Sequence, residues 1–177
     1  ATLMKFNRFG GVEWSRTLGL ASTSGNSVGI SLSPNGVYFV ANVTQSIGTP
    51  ISAFVTGGVN VGVFHISSTG TLLLNTYFGN NTTDNRGYSI ASFPNGDVAV
   101  AGDTLSGGFS SFSGATLKSY ASTIAPYASF VMRLKSDGTA LWVHYFGGSG
   151  SNTRSADRIA ISSTNTIWTL GYDSTAY

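Results

Sequence analysis

The 177-residue chain repeats one pattern three times, and this repetition constrains its fold more than any other feature. Residues 131–148 read VMRLKSDGTALWVHYFGG, and variants of this stretch begin at Val63 and, more loosely, at Leu3. In each copy a glycine separates two short segments in which apolar residues stand two apart. Period-two patterning around a glycine turn predicts two antiparallel strands, so each copy should form a hairpin. The turn glycines are Gly10, Gly70 and Gly138.

A second hairpin follows each copy of the first. The three segments read SVGISLSPNGVYFVAN, GYSIASFPNGDVAVAG and DRIAISSTNTIWTLGY. Asn35-Gly36 and Asn95-Gly96 predict tight turns in which both residues have positive φ, whereas the third copy has Thr164-Asn165 instead. Four strands per unit, recurring at a period above 20 residues, favour radial or linear stacking of small sheets, and the β-propeller is the commonest such solution.

We therefore expect an all-β fold of β-propeller-like blades, each with four antiparallel strands, with a β-sandwich as the alternative. The chain should be a single segment, residues 1–177, holding about three blade-equivalents. If the second hairpin is the inner pair (strands A and B) and the first is the outer pair (C and D), the chain begins and ends within a blade, as part of a larger propeller or of an assembly of chains. The repeats span about 1–44, 59–104 and 129–173, with long B–C loops at 45–58 and 105–128.

Equivalent residues after the C–D turns should share one environment. Trp14, Leu74 and Trp142 have the same place in the pattern, and we expect them to be largely buried. The column Lys5, His65 and Arg133 alternates with apolar positions and should face solvent.

The third copy, from Phe130 to Ile161, carries a recognisable series of motifs. It has a Phe-Val-x-Arg-Leu strand, an Asp-Gly turn, Leu-Trp, Tyr-Phe-Gly-Gly and an Ile-Ala run. This series resembles the SBBP repeat, the seven-bladed β-propeller repeat of bacterial secreted and surface proteins. The resemblance implies a propeller in an exported protein, extracellular or at the cell surface, and it brings no catalytic residues.

Composition excludes several other classes. Hydrophobic residues make up 41% of the chain, which is enough for a core, and only 9% of residues are charged. The net charge of +2 comes from scattered cations, so binding to a nucleic-acid backbone is not expected. No apolar run approaches the ~18 residues that span a bilayer, and no cysteine reports a redox compartment.

The irregular segments predict a binding surface. D–A and B–C connections emerge on the same face of a propeller, and the long segments of this chain all belong to those connections. The aromatic residues of 105–128 either form a ligand platform or fold the loop onto the blade edge. The candidate ligand-binding residues on this face are Asn81, Asp84, Arg86, Phe109, Phe112, Tyr120 and Arg154.

Catalytic chemistry has little support in the sequence. The sequence indicates no serine and aspartate partners for His65 or His144, and the run GNNTTDNRG lacks the spacing of a calcium loop. We expect no enzyme activity, cofactor or metal, and a non-catalytic module of an exported surface protein that acts as a scaffold or adhesive platform. Its partners would be adjoining propeller blades, other chains or a glycan. The alternative is a fragment of a propeller hydrolase or lyase whose active site lies in blades outside this chain.

Overall fold

The computed structural model describes residues 2–18, 29–81, 83–105, 108–109, 116–119, 128–146 and 154–173. Strands occur throughout these residues and no helix does, which confirms the all-β class; none of the described residues forms a membrane-spanning helix. The strands are β1 (Thr2–Phe6), β2 (Val12–Thr17), β3 (Gly29–Ser33), β4 (Gly36–Val43), β5 (Asn60–Ser67), β6 (Leu72–Phe78), β7 (Asn85–Ser92), β8 (Val98–Thr104), β9 (Thr116–Ser119), β10 (Ala128–Leu134), β11 (Ala140–Phe146), β12 (Arg154–Ile161) and β13 (Ile167–Asp173).

These strands form two larger sheets and two separate hairpins. The first sheet has the order β3-β4-β5-β6, and the second has the order β7-β8-β10-β11-β9. β1 and β2 form the N-terminal hairpin, and β12 and β13 form the C-terminal hairpin. Apart from the parallel strand β9, all neighbours in these sheets are antiparallel. The four-stranded order is therefore the inner hairpin followed by the outer hairpin, as the repeat predicts.

The three outer hairpins share one register. In each, a β-bulge close to the turn shifts the register of the two strands. Trp14, Leu74 and Trp142 are thus equivalent, as predicted, and each is partly buried. The cross-strand pairs are Lys5 with Trp14, His65 with Leu74, and Arg133 with Trp142.

This equivalent residue packs against the turn of the next outer hairpin. A Cβ built on Gly70 would lie 3.3 Å from the Trp14 ring, and one built on Gly138 would lie 2.8 Å from Leu74. The Trp14 indole also donates a hydrogen bond of 2.9 Å to the Ser68 carbonyl. Because a Cβ at either glycine would make a closer contact than usual, these turn glycines allow successive hairpins to approach closely.

Five of the six hairpin turns have the same geometry, which differs from the predicted one. In each, a three-residue loop ends at a residue with φ between 63° and 88°. Asn35 and Asn95 do not have positive φ, so the predicted positive-φ pairs are wrong. Pro34 and Pro94 favour this geometry, because proline fixes φ near −65° and starts a type I turn, in which both central residues have negative φ. The five residues with positive φ are Gly10, Gly70, Gly96, Gly138 and Asn165.

The largest core lies between the first and second sheets. Val40 and Val63 of the first sheet belong to the same buried cluster as Ile90 and Val100 of the second. A smaller cluster joins Ala101 of the second sheet to Ala156 of the C-terminal hairpin. Since side chains alternate along a strand, Val100 and Ala101 point to opposite faces, and the second sheet lies between the first sheet and the C-terminal hairpin.

Each long B–C segment runs along the outer edge of its own sheet. In the first sheet, the Ile51 amide donates to the Asn75 carbonyl (2.9 Å) and the Tyr77 amide donates to the Ser52 carbonyl (3.2 Å). In the second sheet, β9 pairs in parallel with β11, so the segment predicted as a loop at 105–128 contains a strand. Both arrangements cover an edge that would otherwise offer unpaired backbone groups.

Candidate functional site

The long connections meet at one end of the first and second sheets, which we call the loop end; its described segments are 44–59, 79–81, 83–84, 105 and 108–109. The opposite end carries the short hairpin turns and is called the turn end. Buried asparagines fix the loop end. Asn60 is fully buried, donates to the Val55 carbonyl (2.8 Å) and accepts from the Val55 amide (3.0 Å). A buried amide is stable only when its hydrogen bonds are made, so Asn60 holds one loop in a single shape.

Two further asparagines join different connections. Asn80 donates to the Gly108 carbonyl (2.9 Å) and accepts from the Thr83 amide (2.8 Å). Asn85 accepts from the Thr104 hydroxyl (2.8 Å) and donates to the Thr83 carbonyl (3.0 Å). The D–A connection and both B–C connections are therefore tied to the same strand ends, and the loop end is a preorganised surface.

An ion pair stands at the border of this surface. Arg86 and Asp84 are 3.1 Å apart, with side chains 38% and 35% exposed, and Asn81 is exposed in the same connection. Burial alone would lower the pKa of Arg86, but its hydrogen bonds to Asp84 and Tyr88 hold that pKa above its ordinary value. The structure thus brings together the predicted residues Asp84 and Arg86, and both side chains remain partly exposed.

A buried carboxyl lies behind the ion pair. The Tyr88 hydroxyl donates to Asp103 Oδ2 at 2.6 Å, and Asp103 is 5% exposed. Its Oδ1 atom is buried and makes no hydrogen bond within the described part of the chain. Burial raises the pKa of Asp103 to about 6, against the opposing effects of the Tyr88 hydrogen bond and the Arg86 charge. This carboxyl therefore changes its charge close to neutral pH.

A β-bulge positions the hydroxyl that Asp103 needs. The register of β7 and β8 shifts between Gly87 and Ser89, so Tyr88 is the extra residue. The C-terminal hairpin shifts at the equivalent place, where Asp157 is the extra residue and its charge also raises the pKa of Asp103. Sequence reasoning missed the Tyr88–Asp103 pair, because period-two patterning does not reveal a bulge.

The remaining predicted site residues are distributed differently. Phe109 is 9% exposed, and its ring lies 4.9 Å from that of Phe130 and 5.9 Å from that of Tyr145. Its amide donates to the Tyr145 hydroxyl at 2.9 Å, so Phe109 anchors its loop in the core, which is the second of the two readings left open above. Phe112 and Tyr120 lie outside the described residues. Arg154 begins β12, and its side chain lies outside the description.

His65 has a partner that the sequence did not predict. Its Nε2 atom is 2.8 Å from Ser33 Oγ, and its ring stacks on Tyr38 with centroids 4.1 Å apart. Burial lowers the pKa of His65, so its ring is neutral at pH 7. The expectation that His65 faces solvent was therefore wrong, and the sequence did not indicate its contact with Ser33. Among the described residues, no carboxylate bonds to this ring, so the contact is a pair and not a triad.

Arg133, equivalent to His65, is likewise not simply exposed. It pairs with Asp97 at 2.7 Å and lies over the Phe93 ring, 4.1 Å from its centroid. Lys5, the third member of the column, is exposed and pairs with Glu13 at 2.7 Å. The column is polar, as predicted, and all three members have polar partners, but only Lys5 is exposed.

No group of three or more histidine, aspartate or glutamate side chains among the described residues could hold a metal ion. Comparison with known proteins found no family model that matches the chain and no curated protein with significant similarity.

Proposed function

We propose that the chain is a non-catalytic β-propeller module of an exported surface protein, which serves as a scaffold or adhesive platform for a protein or a glycan. The observation that carries this proposal is the asymmetry of the sheet ends. Buried Asn60, Asn80 and Asn85 fix the long connections at the loop end, whereas the turn end has only tight turns. A rigid scaffold that presents irregular segments on one side is a common arrangement for binding.

The interpretation of the sheets as propeller blades is supported by the way in which they pack one after another. Trp14 covers Gly70, and Leu74 covers Gly138, so each outer hairpin contacts the next one in the same way. The first inner strands of the three repeats also pack in series, β3 against β7 and β7 against β12. A two-sheet sandwich accounts for one such interface, and a propeller accounts for the repetition.

Binding at the loop end would use the partly exposed side chains of Asp84 and Arg86. Carboxylate oxygens accept hydrogen bonds and a guanidinium donates them, so together they suit a hydroxyl-rich or peptide ligand. Asn81 adds an exposed amide in the same connection. We favour a glycan, because the carboxylate accepts hydrogen bonds from hydroxyl groups and the guanidinium donates hydrogen bonds to them.

A glycan array probed with the labelled chain would test this proposal. Arg86→Gln removes the charge but keeps an amide donor, and we expect it to weaken binding at least ~10-fold, or about 1.4 kcal/mol. The matched control is Lys135→Gln, because Lys135 is exposed at the turn end and should leave binding unchanged. Absence of binding, or loss only in the control, would contradict a glycan site at the loop end.

A hydrolase is the second candidate, and the Ser33–His65 contact is the observation in its favour. A serine hydroxyl beside a neutral imidazole is the first part of an activated nucleophile. The rate of labelling by a fluorophosphonate probe measures whether Ser33 is an activated nucleophile. Under the proposed non-catalytic function, the probe should label the chain no faster than it labels Ser33→Ala. Rapid labelling that Ser33→Ala abolishes would favour the hydrolase.

A further inference from the structure

Three equivalent isoleucines differ greatly in exposure. Ile90 on β7 is 4% exposed and Ile159 on β12 is half-buried, whereas Ile30 on β3 is 59% exposed. All three occupy the same position in the inner strand of their repeat. The difference therefore reflects what lies in front of each strand, not the local sequence.

Where this isoleucine is covered, the covering residues are a cross-strand pair of the preceding sheet. Val40 of strand β4 pairs with Val63 of β5, and both belong to the cluster that contains Ile90. Ala101 of β8 pairs with Val131 of β10, and both belong to the cluster against which Ile159 packs. In both cases, a residue pair between strand B and strand C of one sheet (β4 with β5, or β8 with β10) covers the first inner strand of the next repeat.

In front of Ile30, only half of such a pair is present. β1 is equivalent to β5 and β10, and its Leu3 is equivalent to Val63 and Val131. Among the described residues, β1 pairs with β2 and with no B strand. A groove of about 470 Å³ occupies that place, and its lining includes Leu3, Met4, Phe6, Trp14, Ile30 and Leu32.

The C-terminal hairpin has the opposite deficiency. β13 is equivalent to β8, but in the described structure it pairs only with β12. Trp168 and Leu170 on β13 are 68% and 71% exposed, whereas the equivalent residues Ala99 and Ala101 on β8 are fully buried. Within the described residues, the B strand β13 therefore has no C-strand neighbour, and the C strand β1 has no B-strand neighbour.

We propose that the C-terminal hairpin of a second copy of this chain occupies the groove, with its β13 paired antiparallel to β1. The register of the second sheet places Leu170 opposite Leu3, Thr169 opposite Met4 and Trp168 opposite Lys5. Leu170 and Leu3 then form the pair that covers Ile30.

The chain's own C-terminal hairpin does not fill this place, because it packs on the far face of the second sheet. Ala156 of that hairpin contacts Ala101, while the first sheet packs on the opposite face. Two copies make two such contacts and together provide about six blade-equivalents, which is within the four to eight that close a ring. This inference and the proposed function both rest on the sheets being propeller blades, but the inference does not depend on the loop end.

Cysteine cross-linking tests the register, since the chain has no cysteine of its own. An equimolar mixture of Leu3→Cys and Leu170→Cys chains should form covalent dimers on mild oxidation. The matched control mixes Leu3→Cys with Thr169→Cys, whose side chain points to the other face, and should cross-link at least ~10-fold less. Equal cross-linking in both mixtures would overturn the register.

Light scattering tests the assembly itself. The chain should have twice its mass of 18.4 kDa at micromolar concentration. Leu170→Lys should weaken the dimer at least ~10-fold, whereas Leu73→Lys should not, because Leu73 is 51% exposed on β6 and away from the groove. An 18.4 kDa species at all concentrations, or open polymers, would overturn the two-copy ring. Either result would leave glycan binding at the loop end to be judged by its own experiment.

Discussion

The second sheet and the C-terminal hairpin each contain an equivalent pair of inner strands, but the surroundings of the two pairs differ. β7–β8 and β12–β13 have the same type of turn and a bulge at the same position. Yet every residue of β8 is buried, whereas Trp168 and Leu170 of β13 are among the most exposed large side chains. The comparison shows that local sequence determines the hairpin, whereas the elements beside it and on its two faces determine how much of it is buried.

Truncation of equivalent residues on β10 and β1 should give the largest effect. Leu134 is fully buried in the second sheet, and its equivalent Phe6 is 56% exposed in the N-terminal hairpin. Leu134→Ala should lower the free energy of unfolding by ~2–5 kcal/mol because it leaves a cavity. Phe6→Ala should lower it by less than ~1 kcal/mol when the chain is monomeric. Urea denaturation at a concentration that keeps both variants monomeric measures the difference, and similar losses would mean that β1 is already covered.

The repeat made the hairpins predictable but not their connections. Alternation around Gly10, Gly70 and Gly138 is a local signal, so the strands followed from it, although the bulges that shift their register did not. The contact of Asn80 with Gly108 joins residues 28 apart, and one asparagine among many carries no sign of such a partner. β9 is four residues long, and the sequence of β9, TLKS, has no pattern that separates it from a loop.

Asp103 should make the second sheet less stable as pH rises. Its pKa is raised from 3.8 to about 6 in the folded chain, so the folded state holds the proton more tightly than the unfolded state does. The stability that protonation provides is complete below pH ~3.8 and is lost as pH rises to ~6. Asp103→Asn should therefore match the parent chain near pH 3.5 and exceed its free energy of unfolding by at most about 3 kcal/mol at pH 7.5.

Asp137 supplies a control of opposite sign for that measurement. Hydrogen bonds from Thr139 lower the pKa of this exposed carboxyl, so its stabilisation is present at neutral pH and is lost on acidification. Asp137→Asn should therefore lower stability at pH 7.5 and not raise it. A gain in both variants at pH 7.5 would indicate a general effect of net charge.

The turn glycines of the outer hairpins allow a finer comparison of covered and uncovered regions. Gly10 and Gly138 have nearly the same φ, 83° and 84°, so an alanine at either position should cost ~1–2 kcal/mol in backbone strain. A Cβ on Gly138 would also meet Leu74 at 2.8 Å, whereas a Cβ on Gly10 meets nothing within 4 Å. Gly138→Ala should cost about 1 kcal/mol more than Gly10→Ala in thermal unfolding. Equal costs would show that Leu74 moves aside freely.

The smallest effect is expected at Asn165, which takes the glycine position in the turn of the C-terminal hairpin. Its φ of 63° is left-handed, and asparagine tolerates this region better than most residues do. Asn165→Gly removes the steric cost of the Cβ but increases the freedom of the unfolded chain, so the two contributions largely cancel. The free energy of unfolding should change by less than ~0.5 kcal/mol in chemical denaturation. A loss above ~1 kcal/mol would mean that the exposed Asn165 side chain stabilises this turn, and that the hairpin is held by more than the geometry it shares with β7–β8.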